Sequence, residues 1–218
     1  MTRKKNEETQ EKIMACTKKL FQEHGYNKTS IRMIAKEMEF KNQASFYIYF
    51  KSKDHLTAMI LEENSKEVRK FIDSLEWEDT TPLHDLILEN LIISEILKDE
   101  ANRRFYTEAQ WQQTLPSMMR QVPNYIDYLH KNLETTITKE ELELNIFSYV
   151  KLFCSMCQAI DNKETNVTYL EAMKRMPYVF LDLVGVERRL HETIIHETLD
   201  LFHRIPEAEI QKLFFFHE

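Results

Sequence analysis

Thr29-Ser30-Ile31-Arg32-Met33-Ile34-Ala35-Lys36-Glu37 and Ala44-Ser45-Phe46-Tyr47-Ile48-Tyr49-Phe50-Lys51-Ser52-Lys53-Asp54-His55-Leu56 stand on either side of the short segment 38–43. Ile31, Ile34, Ala35 and Met38 follow a helical stripe, and Thr29 or Ser30 supplies the cap that opens it. Glu39 to Gln43 is polar and forms a turn. Beyond it, Ala44, Phe46, Tyr47 and Phe50 mark a further short helix, and Ser52 caps another with Asp54 in its first turn, where a carboxylate suits the helix dipole. Two short helices across a tight polar turn, with cations on both sides, are what a major groove accepts. One helix must be held rigidly and show small, polar and aromatic groups to base edges, while its surroundings offer N–H groups and cations to phosphates.

Outward from this core the chain stays helical. Upstream, Ile13, Cys16, Leu20 and Phe21 give an amphipathic helix from about residue 7 to 24, stopped at Gly25. Downstream, the helix from Ser52 carries Leu56, Met59, Ile60, Val68, Phe71, Ile72 and Leu75 inward. A break over 76–81 leads to Thr81-Pro82, a cap followed by Pro at the first helical position. Helices are expected at about 82–98, 100–114 and 117–135, the last kinked near Pro123. Capping boxes at Thr138/Glu141 and Thr168/Glu171 open helices to about 161 and 184. Gly185 closes the second of these, and 186–204 is a last long helix before the tail Phe214-Phe215-Phe216. No strand is expected, so the fold class is all-α, with a three-helix head over 1–52 and a larger helical body over 53–218.

Composition agrees. Only 2 of 218 residues are Gly and 5 are Pro, which argues against phosphate-cradling loops, dinucleotide fingerprints and hairpin-rich folds. Residues 1–60 hold twelve Lys and Arg against seven Asp and Glu, a net +5, within a chain whose total is −7. A basic head on an acidic body points to a polyanionic partner for the head. There is no membrane-length apolar run, residues 1–10 are too polar for a signal peptide, and three Cys suit reduced thiols, so the expected location is cytoplasmic.

The run Phe46-Tyr47-Ile48-Tyr49-Phe50-Lys51-Ser52-Lys53-Asp54, supported by Thr29 to Ala35, by Leu20-Phe21 and by Gly25-Tyr26, resembles the DNA-binding head of TetR-type (tetracycline-repressor family) transcriptional regulators over about residues 7–65. The resemblance implies a homodimer that binds double-stranded operator DNA and is a repressor released by a small-molecule ligand held in the body. It also implies that Thr29, Tyr49, Lys51 and Lys53 hold phosphates, that Tyr47 lies along the backbone or groove wall, and that Asn42, Gln43, Ala44 and Ser45 face base edges. Ser30, Arg32 and Lys41 belong to the same candidate interface. The family has Gly in the turn where this chain has Glu39 to Gln43, one residue longer, and Asn42 is the residue expected to close it at positive φ.

In the body, the resemblance implies an apolar cavity for a small apolar or aromatic ligand. Phe105, Tyr106, Trp111, Met118, Tyr125, Tyr128, Phe147 and Phe153 are candidates to line it, against the plainer possibility that they are core. The helix over 139–161 is apolar nearly all round, through Ile146, Phe147, Tyr149, Val150, Leu152, Phe153, Cys154, Met156 and Cys157. Such a helix is covered on two sides, either as a central helix surrounded by its own chain or by a partner subunit in a dimer contact there and at 168–184.

Two other patterns carry less. Cys154-x-x-Cys157 lacks a second pair of ligands, and His191 and His196 are spaced i, i+5 and point to different faces, so no metal site is expected. No cofactor is expected, and the chain is not read as an enzyme. The alternatives left open are a helical dimeric interaction protein without specific DNA binding and a helical enzyme using Cys154 or a His.

Overall fold

The computed structural model describes residues 2–78, 80–110, 122–133 and 137–216, and among these the chain is helical with no strand. We number the helices α1 (Thr2–Lys28), α2 (Ile31–Glu37), α3 (Ala44–Tyr47), α4 (Lys53–Asp73), α5 (Pro82–Ile96), α6 (Glu100–Ala109), α7 (Val122–Asn132), α8 (Lys139–Asp161), α9 (Tyr169–Leu183), α10 (Arg188–Phe202) and α11 (Glu207–Gln211). No helix among the described residues is long and apolar enough to cross a membrane.

Local chemistry sets the helix ends where the sequence places them. Ser30 caps α2 by accepting from the Met33 N–H, and Ser52 caps α4 by accepting from the His55 N–H. Both expected capping boxes form: Thr138 and Thr168 each accept from the N–H of Glu141 and Glu171, whose carboxylates reach back to the threonine N–H at 2.8 Å. The helical run of α1 is broken at Gly25 by φ 79° and ψ 168°, a conformation essentially reserved for Gly. The expected helix over 100–114 is described only to Ala109, and α7 is described from Val122, one residue before Pro123.

The helices pack around one continuous apolar core. α5 touches α4, α9, α10 and α11, and α8 touches α6, α7 and α9. The basic head is not a separate bead, since α1 packs along α6. Phe21 of α1 stacks on Phe105 of α6 at 5.0 Å between ring centroids, and Phe105 in turn meets Phe215 and Phe216 at 5.3 Å each. Four buried aromatic rings at one junction remove several hundred Å² of apolar surface from water, a contribution on the order of several kcal/mol.

Polar groups complete that junction. Arg104 donates to the Gln22 carbonyl at 2.9 Å, a cation on one of the last open carbonyls of α1. Glu108 accepts from the Asn27 N–H at 2.9 Å. Three consecutive residues of α6 therefore face different ways: Arg104 to the end of α1, Phe105 to its flank, and Tyr106 toward the body.

Candidate functional site

The turn between α2 and α3 closes by a different residue from the one expected. Met38 is the C-cap, and Glu39 takes the left-handed conformation at φ 52°; Asn42 is not among the positive-φ residues. The Glu39 N–H donates to the Lys36 carbonyl at 3.0 Å and the Phe40 N–H to the Ala35 carbonyl at 2.9 Å, the paired bonds of a Schellman end. The physical reason is that the α2 stripe ends with Ile34 and Ala35 buried, so the reversal falls directly after Met38 whatever side chain stands there. Asn42 does a different job. Its carboxamide oxygen accepts from the Ser45 N–H at 3.3 Å and caps the first turn of α3.

This places Lys41, Asn42, Gln43 and Ala44 on the exposed surface, with Ser45 half-buried behind them and Phe46 and Phe50 sealed in the head's core. Tyr47 is 54% exposed, set edge-on against Phe46. Ile48, 71% exposed, shares this surface and was not singled out by the motif. A large apolar group left in water on a rigid element is the signal that could have found it. Ser30, Arg32 and Lys51 are exposed on the flanks.

Three residues expected at phosphates are wholly or partly buried against the chain. Thr29 is buried; its hydroxyl faces the Gly25 carbonyl at 2.8 Å and the Leu20 carbonyl at 3.1 Å, and its N–H donates to the Tyr26 carbonyl. These bonds seal the corner after Gly25. Lys53 is half-buried. Its ammonium donates to the carbonyls of Tyr26 (2.8 Å) and Thr29 (2.9 Å) and lies 3.9 Å from the Tyr26 ring centroid. Burial lowers the Lys53 pKa, opposed by Asp54 and Glu108. The Tyr26 hydroxyl donates to Asp54, and burial with that bond raises the phenol's pKa. Tyr49 is half-buried, stacked on Phe40, and its carbonyl accepts from the Gln10 side chain. Of the four expected phosphate contacts, Lys51 is the one on the open surface.

In the body, a cavity of about 140 Å³ lies between α4, α5, α6, α8 and α9. Tyr106 and Phe153 are on its wall. Three other candidates lie elsewhere. Phe105 is buried in the head–body aromatic junction, Phe147 is half-exposed beneath the Lys151 ammonium, and Tyr128 is exposed; none of the three borders this cavity. Trp111 and Met118 lie outside the described residues, as does the side chain of Tyr125.

Sequence reasoning missed Glu89, Asn90, Tyr149, Phe180 and Phe215 on the cavity wall. Glu89-Asn90 is a polar pair inside the run Leu86 to Ile93, which is a legible signal of a polar group facing an interior. Burial raises the Glu89 carboxyl's pKa, opposed by Arg69, whose Nε lies 3.5 Å away.

The discounted patterns have structural places too. Cys154 and Cys157 are buried free thiols, each pushed up to about 12 chiefly by desolvation, so they are protonated and poor nucleophiles at neutral pH. His191 is buried against the Val186 carbonyl while His196 is exposed. Among the described residues no three His, Cys, Asp or Glu are grouped to hold a metal ion.

Residues 13–59 match the family described as bacterial regulatory proteins, tetR family. No curated protein matches the chain. Solved structures similar to it include the fatty acid degradation regulator FadR from Bacillus halodurans (15% identity, 82% of this chain and 96% of that one, TM-score 0.48). GusR of Salmonella enterica follows at 17% identity, 81% and 95% coverage and a TM-score of 0.47. A TetR-like transcriptional regulator from Rhodococcus sp. RHA1 shows 20% identity, 82% and 96% coverage and a TM-score of 0.44.

Proposed function

Starting from a head that belongs to the tetR family of bacterial regulatory proteins, we propose that this chain is a dimeric DNA-binding transcriptional repressor that leaves its operator when a small molecule occupies the body. The observation that carries the reading is the surface from Lys41 to Ile48. It is exposed, capped by Asn42, backed by the buried Phe46 and Phe50, and flanked by Arg32 and Lys51. A short element fixed this firmly loses little entropy on entering a groove, and its outward groups suit it. Gln reads adenine through two hydrogen bonds, and Ala44 and Ile48 offer methyls to thymine. Lys51 and Arg32 supply charge to the backbone.

The head comprises residues 1–52, and the body begins with α4. Two heads about 34–36 Å apart would occupy successive major grooves on one face of a duplex. The dimer contact falls on the outward faces of α8 and its neighbours, where Leu144 (63% exposed), Phe147, Leu152 and Leu170 leave apolar surface uncovered. Coupling runs through α6, which touches both α1 and the cavity. A ligand that favours one packing of α6 shifts the population of head spacings by its differential affinity for the two states.

The test is a titration of a duplex at several salt concentrations. A groove-and-phosphate reader gives log affinity falling linearly with log salt, with a slope of about −0.9 for each phosphate neutralised. A flat plot would leave a helical interaction protein that has the head's form without its activity.

A further inference from the structure

The cavity between α4, α5, α6, α8 and α9 differs from a plain apolar core void in the charge on its wall. Its walls carry aromatic rings from Tyr106, Tyr149, Phe153 and Phe180, yet its lining contains Glu89 and no Lys, Arg or His among the described residues. Three of the polar side chains on its wall are held by other groups of the chain. Asn64 donates to the Leu213 carbonyl at 2.6 Å, Asn90 to the Leu86 carbonyl at 2.8 Å, and the Tyr149 hydroxyl spends its single proton on the Asn90 oxygen at 2.8 Å. Glu89 is the one residue of formal charge among the described lining residues, so the charge that this wall offers a guest is that of a carboxylate.

We propose that this cavity binds a compact organic cation, an ammonium or amidinium carried on a flat apolar body, with the cationic group on Glu89 and the body among the rings. The inference rests on the reading of the body as a ligand-binding domain and deepens it by naming the ligand class. Size limits the guest: about 140 Å³ is close to the engineered cavity of about 150 Å³ that accepts benzene, so a single ring with one short arm fits. Charge selects it. Glu89 has one cationic neighbour, Arg69, which is half-exposed and does not line the cavity. A carboxylate short of solvent gains more from a second cation than an exposed one does, and aromatic faces add cation–π attraction.

Isothermal titration of the full chain with benzylammonium, toluene and benzoate, which share one ring and differ in charge, tests this. Benzylammonium is expected to bind about 10- to 100-fold more tightly than toluene, the worth of a hydrogen bond to a charged partner, and benzoate least. Glu89→Gln keeps the shape and removes the charge. It should cost benzylammonium about 10-fold or more while leaving toluene unchanged, so that retained toluene binding also shows that the variant is folded. Benzoate binding best, the three binding alike, none binding, or Glu89→Gln leaving benzylammonium unaffected would each overturn the assignment. Release of DNA is scored separately. Benzylammonium that binds through Glu89 without loosening DNA would sink ligand-released repression and leave the ligand class standing, whereas DNA released by toluene or benzoate alone would do the reverse.

Discussion

Gly25→Ala examines the joint on which the head's attachment depends. Gly25 sits at φ 79° and ψ 168°, a region that costs a residue with a Cβ about 1–3 kcal/mol. The added methyl would also stand 2.9 Å from Oε2 of Glu108 and 3.1 Å from Nε of Arg104. Glu108 must then shift from the Asn27 N–H, and an exposed bond of that kind contributes about 0.5–1.5 kcal/mol. Ala recovers about 0.4–1 kcal/mol by restricting the unfolded chain. The net loss is about 1–3 kcal/mol, which for a chain of this size lowers the melting temperature by roughly 2–12 °C. Chemical denaturation with the slope compared between variants measures it, and the double variant Gly25→Ala/Glu108→Ala separates the two causes. Removing Glu108 relieves the contact and leaves the backbone strain, so part of the loss should persist in that background. A melting temperature unchanged by Gly25→Ala would refute the argument from backbone geometry. Complete rescue in the double variant would show that contact, and not φ, is the whole effect.

Three further outcomes follow from the same geometry. Glu39→Gly relieves a left-handed residue worth about 1–2 kcal/mol at a cost of about 0.5–1 kcal/mol in chain entropy, so the head should gain about 0.5–1 kcal/mol in urea unfolding; destabilisation instead would mean that Glu39 makes a contact worth keeping. Lys51→Ala should leave the melting temperature within about 2 °C and reduce the magnitude of the salt slope of DNA binding by about 0.9, whereas Lys53→Met should lower the melting temperature because its ammonium bridges two carbonyls; identical behaviour of the two variants would contradict the division of roles. Glu141 and Glu171 have pKa values lowered from 4.5 by bonds from Thr138 and Thr168, so their contribution is full above the ordinary Glu value and fades as pH falls below it. Melting of Glu141→Gln/Glu171→Gln against the unmodified chain should therefore show a gap at pH 7 that narrows below pH 4.5, and a gap constant with pH would count against the capping boxes.

The helices were legible because their signals are local. Ser30, Ser52, Thr138 and Thr168 cap by bonds that reach three residues along the chain, and Gly25 and Gly185 stop helices by their own backbone freedom. The exposed surface from Lys41 to Ile48 was legible in outline for the same reason. What escaped was decided by tertiary closure. Asn tolerates positive φ better than Glu, yet the reversal fell on Glu39 because the α2 stripe ends one turn earlier. Thr29 and Lys53 have the composition of phosphate contacts, and only the position of Tyr26 and Gly25 in space shows that they bond to carbonyls of the chain. In the body, aromatic type alone does not tell a wall from a core. Phe105 and Tyr106 are adjacent, and a turn of about 100° per residue sends the first to the head and the second to the cavity.

Selection of duplexes from a random pool by the full chain, followed by sequencing of the bound fraction, tests the central claim most directly. Two head surfaces from Lys41 to Ile48 related by a two-fold axis require an inverted repeat whose half-sites are centred about 10–10.5 base pairs apart, or a multiple of that. Enrichment of such a palindrome, lost when Gln43 and Tyr47 are both replaced by Ala, is the predicted result. A bound pool with no sequence in common, or one whose enrichment survives those replacements, would contradict the account.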